Sequence, residues 1–150
     1  YVVTGDVGVI GNKLSVEGQA YGGISHTIGY ALKEEYDDLK KGGSIAGAGV
    51  PYIQDIPDDI KVIFTETPRE FGPHGSAGAS ELFQSAGHMC ILNAIRDAVG
   101  VRIYTLPAKP ERVKAGMEAS AQGKEIRPEK YYLGPDMFDT IDAILEAKEQ

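Results

Sequence analysis

Residues 71–81 read FGPHGSAGASE, from Phe71 through Gly72-Pro73-His74-Gly75 and Gly78-Ala79-Ser80 to Glu81, and the chain is organised around them. Glycines recur at 72, 75 and 78, no bulky aliphatic side chain interrupts them, and a carboxylate closes the run. Glycine has no Cβ, so such a run can take positive φ and let a ligand approach the backbone. Its bare N–H groups can meet an anion or a cofactor oxygen. Glu81 stands just before an apolar segment and is a candidate general base at the floor of a site. The plain alternative is a surface turn ending in a solvated glutamate, and composition alone favours it.

The 150 residues fit one ordinary domain with a proper core. An apolar fraction of 42% with 25% charged residues is that of a soluble globular protein. A formal net charge of −7 argues against a nucleic-acid partner, which would call for basic patches. No apolar run approaches a membrane span and no signal peptide opens the chain, so no membrane partner and a cytoplasmic setting are expected. A single cysteine, Cys90, excludes an internal disulfide or a cysteine-built metal site. His26, His74 and His88 lack the paired spacing of a zinc motif, so no metal-ligating side chain is expected. The first residues, Tyr1-Val2-Val3-Thr4, already read as the interior of a strand, and 19 glycines are many for this length. Both suggest a piece of something larger, with a site built mostly from backbone.

Outward from the central run, residues 1–4 and 60–65 (IKVIFT) predict strands, and 101–106 (VRIYTL) a third. Gly5, Gly8 and Gly11 fall every third residue, which is not the spacing of a dinucleotide fingerprint. Lys13 and Ser15 could face a phosphate or simply water. Ala20, Ile24, Ile28 and Leu32, with Tyr21 and Ala31, mark one face of a helix that Ser15 would cap. Gly22, Gly23 and Gly29 weaken that helix by up to roughly 1 kcal/mol each, a cost usually offset by close packing. The charged run from 33 to 41 ends it, and His26 is expected to pack or hydrogen-bond.

A second helix is expected from a Ser85 cap to Val99, with Met89, Leu92, Ile95 and Val99 on one face, Cys90 buried and Gly100 as its stop. Pro110 starts a third helix, residues 119–123 read as a loose linker, and Met137, Phe138, Ile141, Ile144 and Leu145 suggest a last helix after Pro135. Strands and helices mix without strict alternation, so the fold class is α+β (mixed α/β).

Several blocks, in order, resemble the molybdenum hydroxylase family, and within it the bacterial aldehyde oxidoreductase branch. They are Asp6-Val7-Gly8 through Asn12, Val16-Glu17-Gly18-Gln19-Ala20-Tyr21-Gly22-Gly23, Pro68-Arg69-Glu70 with Gly72-Pro73, the run ending in Glu81, Asn93-Ala94-Ile95, and Gly100-Val101-Arg102-Ile103-Tyr104. The resemblance implies the C-terminal portion of a molybdopterin-binding domain at residues 1–121, followed by a C-terminal extension at 122–150. It implies molybdopterin with Mo as cofactor, in its cytosine dinucleotide form. The metal would be held by the pterin dithiolene, and [2Fe-2S] clusters would sit elsewhere in the full enzyme.

By position, the family's glutamate near the metal is Glu81, and the glutamine touching the cofactor is Gln19. Gly11, Asn12, Lys13 and Ser15 resemble the segment lining the dinucleotide, and Gly78, Ala79 and Ser80 lead into the base. The implied activity is hydroxylation of an aldehyde, or a related carbonyl or heterocycle, with oxygen from water. A carboxylate within hydrogen-bond reach takes a proton in such a step, typically worth about 10²–10⁴ in rate. Burial beside glycine backbone would make it a better base. Gln19 can bond an oxo group or a pterin edge without adding charge.

The family commonly has glycine before this glutamate and proline soon after; here Ser80 precedes it and Leu82-Phe83 follow. The expected partners are the remainder of the hydroxylase, a small aldehyde-type substrate and further copies in a homo-oligomer; alone, the chain would be inactive. The alternatives are a purine/xanthine-type hydroxylase, a carbon monoxide dehydrogenase fragment, or a non-catalytic scaffold domain.

Overall fold

The structure, a computed structural model, describes residues 1–36, 38, 40–124 and 126. It opens with strand β1 (Val2–Asp6) and the long helix α1 (Lys13–Leu32). Strand β2 (Lys61–Thr65), helix α2 (Gly87–Val99) and helix α3 (Pro110–Ala121) follow. β1 and β2 pair in parallel, in register from Val2 opposite Lys61 to Asp6 opposite Thr65. Parallel strands need a crossover, and α1 with the loop after it provides one. The architecture is mixed α+β.

Alternation in β2 sorts its side chains by face. Val62 and Phe64 pack on a core of Val7, Ala20 and Phe83, while Lys61, Ile63 and Thr65 face outward. α1 buries Ala20, Ile24, Ile28 and Ala31 at helical spacing, as its sequence predicts, but Tyr21 is exposed one position off that stripe. The helix begins earlier than expected: Asn12, not Ser15, is the cap, and its side-chain oxygen accepts the Ser15 N–H at 2.9 Å. It ends at Leu32, where the charged run begins, and the Lys33 and Glu34 N–H groups both close on the Gly29 carbonyl.

A second core gathers Leu92, Val101, Ile103 and Ala108. Residues 101–106 are not a strand. They pair with neither strand of the sheet; Val101 and Ile103 instead bury their alternate side chains in the core beside Leu92 of α2. α2 starts at Gly87 behind Ala86, and Ser85 caps nothing, donating its hydroxyl back to the Leu82 carbonyl at 2.9 Å. Leu92, Ile95 and Val99 form the inner face of α2. Cys90 and Met89 are exposed: Cys90 lies about 200° around the helix from Leu92, and Met89 precedes the contact with the core.

Gly100 ends α2 in the left-handed region at φ 73°, its N–H on the Arg96 carbonyl. Pro110 opens α3, which continues through the expected linker to Ala121. The Ala108 N–H donates to the Ala31 carbonyl at 2.6 Å, and Glu35 pairs with both Lys109 and Arg112, fastening α3 to the end of α1. No helix among the described residues is long and apolar enough to cross a membrane. The expected last helix, from Met137 to Leu145, lies outside the described residues.

Candidate functional site

Both glycine-rich segments leave the carboxyl ends of β1 and β2, the end of a parallel sheet where ligand sites form. There they are joined. Gly8 and Ser76 form an antiparallel bridge, the Val9 N–H donates to the Gly75 carbonyl at 3.0 Å, and the Ala77 N–H donates to the Val7 carbonyl at 2.9 Å. The Ser76 hydroxyl adds a bond to the Val9 carbonyl at 2.7 Å. Gly8 and Gly75 have φ of 64° and 81°, where a side chain costs strain. His74 shares that region at φ 55°.

Asp6 ties the loop bases together. Its Oδ1 accepts the N–H groups of Gly8 and Thr67, each at 3.1 Å, and Arg69 lies 3.4 Å away. The hydrogen bond from Thr67 first, then that from Gly8, with the Arg69 charge adding, holds this carboxyl below its usual range. Glu66 accepts the Ile10 N–H at 3.1 Å on the far side of the same loop.

Beyond Ser80 the chain makes one 3₁₀ turn, Glu81–Phe83, laid across α1. Phe83 is 2% exposed and sits edge-on to Phe64, ring centroids 6.0 Å apart. Gly23 makes the approach possible: a Cβ there would lie 2.9 Å from the Phe83 Cβ and 3.1 Å from the Gln84 nitrogen. Gly5 in β1 makes room for the ring itself, with the Phe83 Cε1 2.6 Å from its absent Cβ. Ser80 is in the ordinary helical region, so this turn does not require the glycine common in the family.

The turn places Glu81 in an open cleft of ≈ 610 Å³, lined also by His26, Tyr30, Glu34, Gln84 and His88. The expected burial of Glu81 is not found; the residue is exposed on this chain, because the turn lies at the surface of α1. His26 Nδ1 is 3.1 Å from the Gln84 side-chain oxygen. The Tyr30 and His88 rings are tilted against each other at 5.3 Å.

The other site residues expected from sequence are placed as follows. Gly78 and Ser80 are exposed, whereas Ala79 is half-buried against the Phe83 core. Gln19 is exposed on α1, beside the buried Ala20 that packs in that core. Gly11, Asn12, Lys13 and Ser15 surround the start of α1. Lys13 lines a different cleft, of ≈ 510 Å³, with Ile10, Glu17, Val62, Phe64 and Glu66. The loops are thus zipped together, but Lys13 and Glu81 open into separate clefts.

Sequence reasoning missed Thr27, Tyr30 and Gln84. Thr27 was the legible one: a polar residue between Ile24 and Ile28, on the inner face of α1, needs a partner. It is fully buried and bonds the Gln84 carbonyl at 3.2 Å.

Residues 1–57 match the family model for the molybdopterin cofactor-binding domain. The chain belongs to the molybdenum hydroxylase family, as part of its molybdopterin-binding domain. It is 45% identical over 114 residues to the aldehyde oxidoreductase of Megalodesulfovibrio gigas, covering 76% of this chain and 13% of that protein. The crystal structure of the aldehyde oxidoreductase from Desulfovibrio desulfuricans is 48% identical and superposes with a TM-score of 0.75, over 77% of this chain and 13% of that one. Quinoline 2-oxidoreductase from Pseudomonas putida 86 is 31% identical with a TM-score of 0.69, over 78% of this chain and 16% of that one. The chain therefore spans about an eighth of the aldehyde oxidoreductases it matches.

The residues present fit one wall of such a cofactor site. Positions where a Cβ on Gly11 or Gly78 would project are open to more than 4 Å, which leaves backbone uncovered beside Ser15 and Ser80. Gln19 adds an exposed amide with both donors and acceptors.

Proposed function

We propose that this chain supplies the general base and part of the cofactor wall of a larger enzyme that oxidises an aldehyde, with water as the oxygen source. Glu81 is the base. The observation that carries this reading is its mounting: a carboxylate on a turn fixed to α1 over Gly23, lining a cleft, directly after a loop with bare backbone.

The molybdenum carried by molybdopterin would, when bound, supply the two-electron sink for converting an aldehyde and water to a carboxylic acid. Glu81 accepts a proton at its carboxylate oxygen as the C–O bond forms. Gly78, Ala79 and Ser80 let the backbone run close to the reacting centre, and Gln19 hydrogen-bonds the cofactor from α1. Gly11, Asn12, Lys13 and Ser15 hold the nucleotide end. A phosphate-bearing cytosine dinucleotide suits that place, because the start of a helix favours phosphate and Lys13 adds positive charge. Parts of the longer enzyme would close the cleft over Glu81 against bulk solvent, and [2Fe-2S] clusters held elsewhere in it would take the electrons onward. The aldehyde assignment rests on the similarity to the aldehyde oxidoreductases.

The test is Glu81→Gln in the full-length enzyme. Benzaldehyde turnover with a dye acceptor should fall by about 10²-fold or more while molybdenum content stays unchanged. Retained turnover would remove Glu81 from this role, and preferred turnover of hypoxanthine would replace the aldehyde.

A further inference from the structure

Gln84 is the residue through which α1 grips the carboxylate turn. Its carbonyl accepts hydrogen bonds from two α1 hydroxyls, Tyr30 and Thr27, the latter at 3.2 Å. These fill both lone pairs of the oxygen. Its N–H closes the turn on the Glu81 carbonyl at 3.3 Å. Gly23, Thr27 and Tyr30 follow at steps of four and three, so three levels of one helix face address residues 83 and 84.

Phe83 fixes the turn at one point, in the core, and a short 3₁₀ turn held at one point can still pivot. The paired bonds at Gln84 provide a second point on the opposite side of Glu81 from the 72–80 loop. Thr27 is itself held: Gly87, at the start of α2, lies so close that a Cβ there would overlap the threonine side chain. The grip therefore rests on two helices and not on the surface.

The geometry points to Thr27 and Tyr30 as positioning residues for Glu81: by tying down the Gln84 carbonyl they keep the carboxylate aimed into the cleft. This rests on the reading of Glu81 as the base. A misplacement of about 1 Å at a reacting group can cost about 10² in rate, so a lost anchor shows in kcat before it shows in binding.

The test uses the full-length, molybdenum-loaded enzyme. Thr27→Val keeps the side-chain shape without the hydroxyl, Tyr30→Phe removes only an oxygen, and Thr27→Ser is the conservative rescue. Benzaldehyde kinetics and hydrogen–deuterium exchange of peptides covering 80–88 are read on each. The expected result is a kcat lowered about tenfold or more in Thr27→Val and Tyr30→Phe, with KM and molybdenum content unchanged. Exchange should be faster in 80–88 only, and Thr27→Ser should restore both. Wild-type kcat and exchange in both variants would overturn the inference. So would a parallel loss of kcat, KM and protection across the whole domain, since that marks general packing. Glu81→Gln separates the two claims. With wild-type exchange and no turnover it leaves the base in place whatever the anchors do. With normal turnover it removes the base, and the positioning role with it.

Discussion

A β-carbon on Gly8 would collide with the carbonyl oxygen of Gly75, the atom that also accepts the Val9 and Arg69 N–H groups. Gly8 has φ 64° as well, so both strain and contact oppose any side chain there. Gly8→Ala should destabilise the domain by about 1–3 kcal/mol, read as a lowered thermal midpoint. Gly78→Ala has open space and should leave the midpoint unchanged. Equal effects at the two positions would mean that the loops are not joined as described.

Phe83 is the apolar anchor of the carboxylate turn. Phe83→Ala removes a buried ring packed on Gly5 and Phe64 and should cost about 3–5 kcal/mol, measured by denaturant unfolding. A cost below about 1 kcal/mol would mean that the turn is held from elsewhere.

Asn12 and Ser15 separate the two possible starts of α1. Asn12→Ala removes the oxygen that accepts the Ser15 N–H and should cost about 0.5–2 kcal/mol. Ser15→Ala, inside the first turn, should cost a few tenths at most. The reverse ranking would restore Ser15 as the cap.

Glu35 makes stability depend on acid. Hydrogen bonds from Lys109 first, then Arg112, hold its carboxyl below the usual range. A carboxyl lowered in the folded state stabilises the fold fully above its unfolded pKa, near 4.3 for a glutamate. That contribution fades as pH falls from there through the lower folded value. The thermal midpoint of Glu35→Gln should therefore lie below wild type at pH 7 and converge with it in acid. A gap that stays constant from pH 7 down to pH 3 would exclude this ion pair as its source.

Legibility followed whether a residue's partner was near in sequence or far. The inner face of α1, strand β2 and the stop at Gly100 are periodic or local signals, and each is where its residues say it should be. Residues 101–106 have the composition of a strand, yet becoming one needs a strand partner at the place where the chain packs, which no local pattern reveals. Cys90 was misplaced because an apolar sequence neighbourhood says nothing about which side of a helix is covered. For the candidate site, the glycine run and Glu81 stand out in the local sequence, and the family resemblance supplies the expected role of Glu81. The partners of Gln84 lie 54 and 57 positions away along the chain, and only folding brings them together.

The bridge between Gly8 and Ser76 has an evolutionary consequence. Two loops that exchange backbone hydrogen bonds cannot change length independently, since one inserted residue in either shifts its pairing and turns side chains to the other face. Variation at this end of the sheet is thus confined to exchanging side chains on loops of fixed length. The same holds on the far side of Gly78, where Ala79 packs on the Phe83 core and the turn from Glu81 is held against α1, so both loops at this end keep their lengths as far as Gln84.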